Sequence, residues 1–398
     1  MGRINFAARI KRIVAERAGF LCSYPNCDRR TIGPGAENDE TSNSGTAAHI
    51  FSAAVDGPRG QGILSEEELK HSDNAIWLCR DHGTLIDNNR GDMFPPQLLL
   101  SYKQMHEARI AHEQQGLYSP IGWIHKVRLD ESPIFTNKSS FMLAKLNLVI
   151  GDNATGKSAL CEWISGVFDI SYLSRWRKVR SPLKINLTYF TPQEIKVGLA
   201  IPDNNRVLYK VNERRAPVNP FKINLISPRN EKSRLTKEEE NDDLVYFAGI
   251  LKADPVVVES LVEEIHNYHH SKIRNIRFES EDSVRHMYLD VEGTHPGLSF
   301  SSLSGGEQEQ VFIEFVSAWA RFCGRYTPTV LVLDGFVSRF FKGWFDYYSH
   351  HFLDPDNQFQ TILTIPSRDI DLSHIRWNGW QVLRTSGSPP ECTIAQEL

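Results

Sequence analysis

The chain has 398 residues, 40% of them hydrophobic and 24% charged, with a formal net charge of −4. This length and apolar content can bury real cores and predict two or three domains, of which two are assigned below. The slight acidity excludes a global attraction to nucleic acid, so such binding would need a local basic face.

The first twenty residues carry Arg3, Arg9, Lys11, Arg12 and Arg17 and hold no apolar run long enough for a signal peptide or a membrane span. Six cysteines, three of them (Cys161, Cys323 and Cys392) scattered singly, do not form a disulfide framework and fit a reducing compartment. A cytoplasmic protein with no membrane partner is expected.

Residues 1–117 read as a helix, a cysteine-rich turn, a polar loop over 32–45, short strands and a final helix over 95–115 with Leu98, Leu99, Tyr102 and Met105 on one side. GLYSPIG supplies breakers, which places the boundary between domains 1–117 and 118–398. Within the first domain, FLCSYPNC contributes Cys22 and Cys27 and WLCRDH contributes Cys79 and His82. Two short-spaced pairs of thiolate and imidazole donors are the pattern of tetrahedral zinc. Four protein ligands leave no open position, so the zinc is expected to be structural and to supplement a small core.

The words around that site, RAGFLCSYPNC, AAHIFSAAVDGPRG, SDNAIWLCRDHGTLIDNN and LLLSYKQMHEA, resemble the HNH or ββα-metal endonuclease domain over about residues 10–110. The resemblance implies that His49 is the general base that activates water and that Asn74 is the orienting residue. It also implies a divalent ion at the cleaved phosphate. The position before the base, often a metal ligand, is Ala48, and the position after the second knuckle, usually a metal-binding histidine, is Gly83. Asp87, or Asp81, is the hard carboxylate ligand expected to substitute.

In the second domain LNLVI reads as a buried strand, GDNATGKS at 151–158 as G-x4-G-K-S, and SALCEWISGVF as a helix. In that strand–loop–helix context Gly151, Asn153 and Gly156 belong to a loop whose amides cradle phosphates, Lys157 meets their charge and Ser158 ligates Mg²⁺. KINLTYF, KVGLAI and RVLYKV then read as antiparallel strands, 242–270 as helical, and TVLVLD and QTILTI as central parallel strands.

LSGGEQ at 303–308, a helical stretch and TVLVLD follow. The pattern resembles ABC-type ATPases of the SMC-like and defence-associated branch over about residues 120–398, without a long coiled coil. The resemblance implies a head-to-tail dimer, an ATP sandwich in which Ser304, Gly305 and Gly306 act in trans, and Asp334 as the Mg²⁺-linked Walker B aspartate. Gly335 stands where the family places a water-polarising glutamate, and Pro366, Ser367 and Arg368 stand where a switch histidine is expected. ATP binding with slow or absent hydrolysis follows from these departures. Gln193 is the candidate Q-loop glutamine.

Other features carry less. RWRKVR at 175–180 could face phosphates with Trp176 as a stacking surface, but reads first as a solvated helix end or loop, and KEEEND at 237–242 reads as an exposed helix start. HNYHH at 266–270 has no carboxylate or cysteine spaced to complete a metal site, so it reads as an exposed helix face. The aromatic run 338–352 reads as core or interface.

The sequence therefore predicts an α/β chain: an ABC-type P-loop ATPase domain with a small N-terminal zinc-bound ββα domain, using Zn²⁺, ATP and Mg²⁺. The function it implies is ATP-gated cleavage of nucleic acid, DNA above RNA, by a homodimer or larger homo-oligomer, in a setting of prokaryotic defence against phage or foreign DNA. The alternative is a non-catalytic sensor that binds DNA or protein through its zinc module and recruits a separate effector. Trigger and oligomer number have no signature in the chain.

Overall fold

Strands that are buried at every position form the central sheet, and strands that alternate form a second sheet packed over it. The structure, a computed structural model, describes residues 4–25, 27, 29–114, 122–136, 138–179, 181–190, 194–202, 206–217, 223–228, 242–293, 296–335, 344–354, 356–367, 375 and 379–397. The domain boundary expected at 117/118 falls in 115–121, outside them, as do Gln193, Arg368, most of the 237–242 run and residues 338–343.

Residues 4–114 contain helices α1 (Ala8–Arg17), α2 (Glu66–Lys70), α3 (Arg80–Leu85) and α4 (Pro96–Gln114). A small hairpin joins β1 (Ile32–Pro34) to β2 (Thr41–Asn43), and a second antiparallel pair joins β3 (Gly45–His49) to β4 (Ala75–Cys79). Every residue of β4 is buried, while β3 is half-buried throughout. Ile50, Ile76, Leu78, Ile86, Leu98, Leu99 and Tyr102 form the local core under them. This core is small, which is the physical reason a cross-link of metal or thiol chemistry would matter here.

An antiparallel sheet follows in the order β11-β10-β9-β8-β5-β6. Its strands are β5 (Trp123–Glu131), β6 (Ser139–Met142), β8 (Leu183–Phe190), β9 (Glu194–Ile201), β10 (Leu208–Val211) and β11 (Arg214–Ala216). The three alternating runs of the sequence are β8, β9 and β10, paired antiparallel as expected.

The central sheet has the order β12-β16-β17-β7-β18-β19 and is parallel except for its last strand. It comprises β7 (Leu146–Ile150), β12 (Asn224–Ile226), β16 (Thr329–Asp334), β17 (Gln360–Ile365), β18 (Trp380–Ser386) and β19 (Thr393–Glu397). All residues of β7, β16 and β17 are buried, as strands covered on both faces require. The period of two sorts their side chains. Leu146, Leu148, Ile150, Leu331 and Leu333 face one core, and Val149, Val330, Val332 and Ile362 face the other.

The second of these cores holds α5 (Lys157–Phe168) between the two sheets. The first is closed by α6 (Asp243–Leu251), α7 (Pro255–Asn267), α8 (Gly305–Gly324) and α9 (Trp344–Leu353). The helical stretch read from 242–270 is thus two helices, since Asp254 caps the second with Pro255 at its first position. A three-stranded sheet, β13 (Ile273–Glu281), β14 (Val284–Val291) and β15 (Leu298–Ser299), flanks them. Of the aromatic run, Tyr348 and Phe352 are core residues. No helix of the described residues is long and apolar enough to cross a membrane.

Candidate functional site

β7 delivers the chain to the loop 151–156, and α5 begins at Lys157. Two glycines are needed on steric grounds. A Cβ on Gly151 would meet Oγ1 of Thr385 at 2.3 Å, and one on Gly156, whose φ is +94°, would meet Phe135 at 2.8 Å. Thr155 Oγ1 lies 2.7 Å from Thr385 Oγ1 and donates to the Asp152 carbonyl at 2.8 Å, tying the loop to β18. Lys157 Nζ donates to the carbonyls of Gly151 and Asp152, both at 2.7 Å, which fixes its charge over the loop.

Asp334, at the end of β16, is 5% exposed. Its Oδ1 accepts from Ser158 Oγ at 3.2 Å and from Thr364 Oγ1 at 2.6 Å. The hydroxyl and carboxylate expected to flank Mg²⁺ are therefore together, with Thr364 as a third member that the sequence reading missed. The polar donors, the buried acid and the bare loop backbone fit a nucleotide's phosphates and their cation. Gly335 has φ +77°, a left-handed conformation that favours glycine, and its amide donates to Thr364 Oγ1 at 3.0 Å. The backbone there explains a glycine where a catalytic acid is usual. Ser367 Oγ donates to the Asp152 carboxylate, so the TIPSRD segment does reach the loop.

The cavity over the loop is lined by Asn153, Gly156, Lys157, Ser158, Asp334 and Gly335, and also by Arg175, Trp176 and Val179. Arg175, Arg177, Lys178 and Val179 are exposed, as a solvated turn implies, and Trp176 is the buried exception. Trp176 is 7% exposed, packs edge-on against Trp163 at 5.0 Å and donates to Glu162 at 2.6 Å. Arg175 lies over its ring at 4.4 Å and pairs with the same carboxylate at 2.7 Å. The signal was available: a tryptophan inside a basic run is seldom solvated, because its ring is a large apolar surface.

Ser304 caps α8 in a capping box with Glu307, and Gly305 and Gly306 open the helix. Ser304 and Gly305 are exposed, and none of the three lines the cavity over the phosphate loop of the same chain. An exposed N-terminus of a 20-residue helix offers amide donors to an anion brought from outside.

In the N-terminal module, donor atoms of Cys22, Cys27, Cys79 and His82 all lie within 4.8 Å of one another. Cys79 Sγ is 3.3 Å and Cys22 Sγ 3.5 Å from His82 Nδ1, and Cys27 Sγ is 4.0 Å from Cys79 Sγ. Zn–S bonds of about 2.3 Å and Zn–N bonds of about 2.0–2.1 Å give ligand separations of this size in a tetrahedron. The set fits zinc. Burial raises the Cys22 and Cys27 thiols, and burial with nearby Arg29 lowers His82. His82 is held flat against Tyr24 at 3.9 Å.

His49 closes β3, and its ring stacks on Phe6 at 3.8 Å with 14° between planes. Asn74, 4% exposed, accepts from the Phe51 amide at 2.7 Å and donates to the carbonyls of Phe51 and Leu69, both at 3.1 Å. Its side chain is spent on backbone, so it orients the turn that follows His49. His49, Arg59, Arg80, Thr84, Asp87 and Asn88 line one polar cleft.

Arg59, within the AAHIFSAAVDGPRG segment, is a further member that spacing alone does not single out. Its buried guanidinium donates to the carbonyls of Ile50, His49 and Ile86 and pairs with Asp87 at 2.7 Å. Asp81 pairs with Arg29. Ala48 offers no ligand, and a Cβ on Gly83 would meet Thr46 at 2.7 Å. Among the described residues His49 belongs to no group of three metal donors. The residues present do not fit the divalent ion that the HNH resemblance implies.

No family model and no curated protein matches the chain. Solved structures do. An SMC head bound to the C-terminal winged-helix domain of ScpA superposes with TM-score 0.50 at 13% identity, covering 69% of this chain and 97% of that one. The SMC head of Thermotoga maritima gives 0.44 at 13% identity over 69% and 99%. The recombination mediator RecF with ATP gives 0.41 at 14% over 70% and 100%. The chain has the α/β fold of an SMC-like ABC-type P-loop ATPase head.

Proposed function

We propose that this protein is an ATP-gated nucleic-acid endonuclease of the cytoplasm, working as a homodimer and acting in prokaryotic defence against foreign DNA. Residues 1–117 form its HNH-like module, Cys22, Cys27, Cys79 and His82 hold a structural zinc, and residues 118–398 form the ATPase. The loop amides and Lys157 bind the phosphates of ATP, and Ser158 and Asp334 hold Mg²⁺, which neutralises phosphate charge. Ser304, Gly305 and Gly306 of a second copy close the sandwich, with the exposed end of α8 as the anion-binding edge. The partner domain named with the SMC head supports a head that works in an assembly.

The observation that carries gating is a joint. α4 of the N-terminal module is hydrogen-bonded through Ser101 to Lys145, the residue before β7, and β7 ends in the phosphate loop. Within the cleft, His49 takes a proton from water as the water oxygen bonds to phosphorus, the bond from phosphorus to one sugar oxygen breaks and that oxygen takes a proton from solvent; Asn74 positions the turn behind His49, and Arg80 supplies cationic character beside it. No step passes through a divalent ion.

The second reading, a sensor that binds without cutting, is favoured by Ala48, Gly83 and the Asp87–Arg59 pair, which leave no hard-ligand set beside His49. Cleavage of plasmid and RNA, with and without ATP, separates the two. Scission abolished by His49→Ala supports the nuclease, and its absence in the wild type favours the sensor.

A further inference from the structure

We propose a second metal site, for a borderline transition-metal dication such as Zn²⁺, formed by His269, His270 and Asp354. The sequence shows HNYHH without a companion donor, but the fold brings Asp354 to it from 84 positions downstream. The donor atoms of the three residues lie within 4.8 Å of one another. They connect the turn after α7 with the turn after α9.

The carboxylate is placed as a ligand would be. Asp354 has a side chain only 5% exposed. Its Oδ1 accepts from the Asp356 amide at 2.8 Å, Tyr268 also interacts with the carboxylate, and its Oδ2 is buried. That oxygen faces two imidazoles, with His269 Nε2 at 3.4 Å and His270 Nε2 at 3.5 Å. These separations are long for hydrogen bonds. They match the edge of about 3.3–3.4 Å that tetrahedral Zn–N and Zn–O bonds of roughly 2.0–2.1 Å require. A buried carboxylate charge is costly, and a cation shared with the imidazoles offsets that cost.

The surroundings hold the three in place. Tyr347 Oη lies 2.6 Å from the His270 carbonyl and 2.7 Å from a Glu314 carboxyl oxygen, its one proton donated to either. Lys145 Nζ donates to the Asp354 carbonyl at 3.1 Å, and the Asn357 amide donates there at 3.0 Å. Buried Arg321, 3.5 Å over the Tyr268 ring, is offset by Glu264 and by nearby Glu314. His269 is 66% exposed and His270 37%, so an ion can enter from solvent. Two imidazoles and one carboxylate leave a coordination position for water or an outside donor, unlike the four-ligand cysteine site.

The test is uptake of Zn²⁺ by the full chain, read by competition with a chromogenic chelator and by elemental analysis, in wild type, His269→Ala and Asp354→Asn. The wild type is expected to bind one more equivalent than either variant, or to bind it 10–100-fold more tightly, the range that even outer-shell losses reach. Because His269 is exposed, His269→Ala keeps the fold, checked by circular dichroism. Co²⁺ loading reports the cysteine site separately through its thiolate charge-transfer band, so a failure there is told apart from a failure here. Equal stoichiometry and affinity in all three proteins would overturn the proposal.

Discussion

The main-chain amide of Lys145 donates to Oγ of Ser101 at 2.7 Å, and that hydroxyl in turn donates to the Gln97 carbonyl within α4. Both residues are buried. One side chain thus connects the last helix of the N-terminal module to the strand that runs into the phosphate loop.

Replacing that hydroxyl should cost more than an ordinary surface change. Ser101→Ala leaves the buried Lys145 amide unpaired, so a loss of about 1–3 kcal/mol is expected in denaturant unfolding. The same variant should weaken the effect of ATP on nucleic-acid processing while leaving ATP affinity near the wild-type value, which a nucleotide-binding titration checks.

His125 sits at the same junction, its ring 5.7 Å from Tyr102 of α4 and 4.8 Å from Phe190 of β8. Burial, with a smaller contribution from Lys126, lowers its pKa to about 4. In the unfolded chain it protonates near 6.5. The unfolded state therefore gains a proton first, and stability is lost as pH falls from about 6.5 to about 4, with no further loss below. The slope is at most roughly 1.4 kcal/mol per pH unit. In His125→Phe this limb should flatten, measured as the difference in unfolding free energy between the two proteins across that window.

ATP should be held and turned over slowly. With Gly335 in place of a water-polarising acid, hydrolysis is expected to be roughly 10²–10⁴-fold below that of heads possessing one. Phosphate release under single-turnover conditions measures it. Gly335→Glu offers no simple rescue, because φ of +77° costs a side-chain-bearing residue about 1–2 kcal/mol.

Zinc removal should act on one module. In Cys27→Ser the elemental zinc content should fall, and hydrogen-exchange protection should drop in β4 and the start of α4, whose core residues Leu78, Leu98 and Leu99 pack beside the ligands. Protection in β7, β16 and β17 should persist.

The parallel strands β7, β16 and β17 are legible because short runs rich in leucine and β-branched residues, two of them leading into a Gly-rich or acidic end, have few alternatives. The phosphate loop was legible because its glycines are required locally. What the sequence withheld depends on distance along the chain. Asp354 reaches His270, Arg59 reaches Asp87 and Thr364 reaches Asp334 only through tertiary packing, which no spacing rule encodes. The tryptophan in RWRKVR was a local signal outweighed by its basic neighbours. The break between α6 and α7 was also local, since Asp254 followed by Pro255 is a helix start.

The most direct test is cleavage of plasmid DNA and of RNA by the purified full chain, with and without ATP, comparing wild type, His49→Ala and Lys157→Ala. ATP-dependent scission in the wild type, absent in His49→Ala and no longer responsive to ATP in Lys157→Ala, is the predicted result. Absence of scission by the wild type, or scission that persists in His49→Ala, would contradict it.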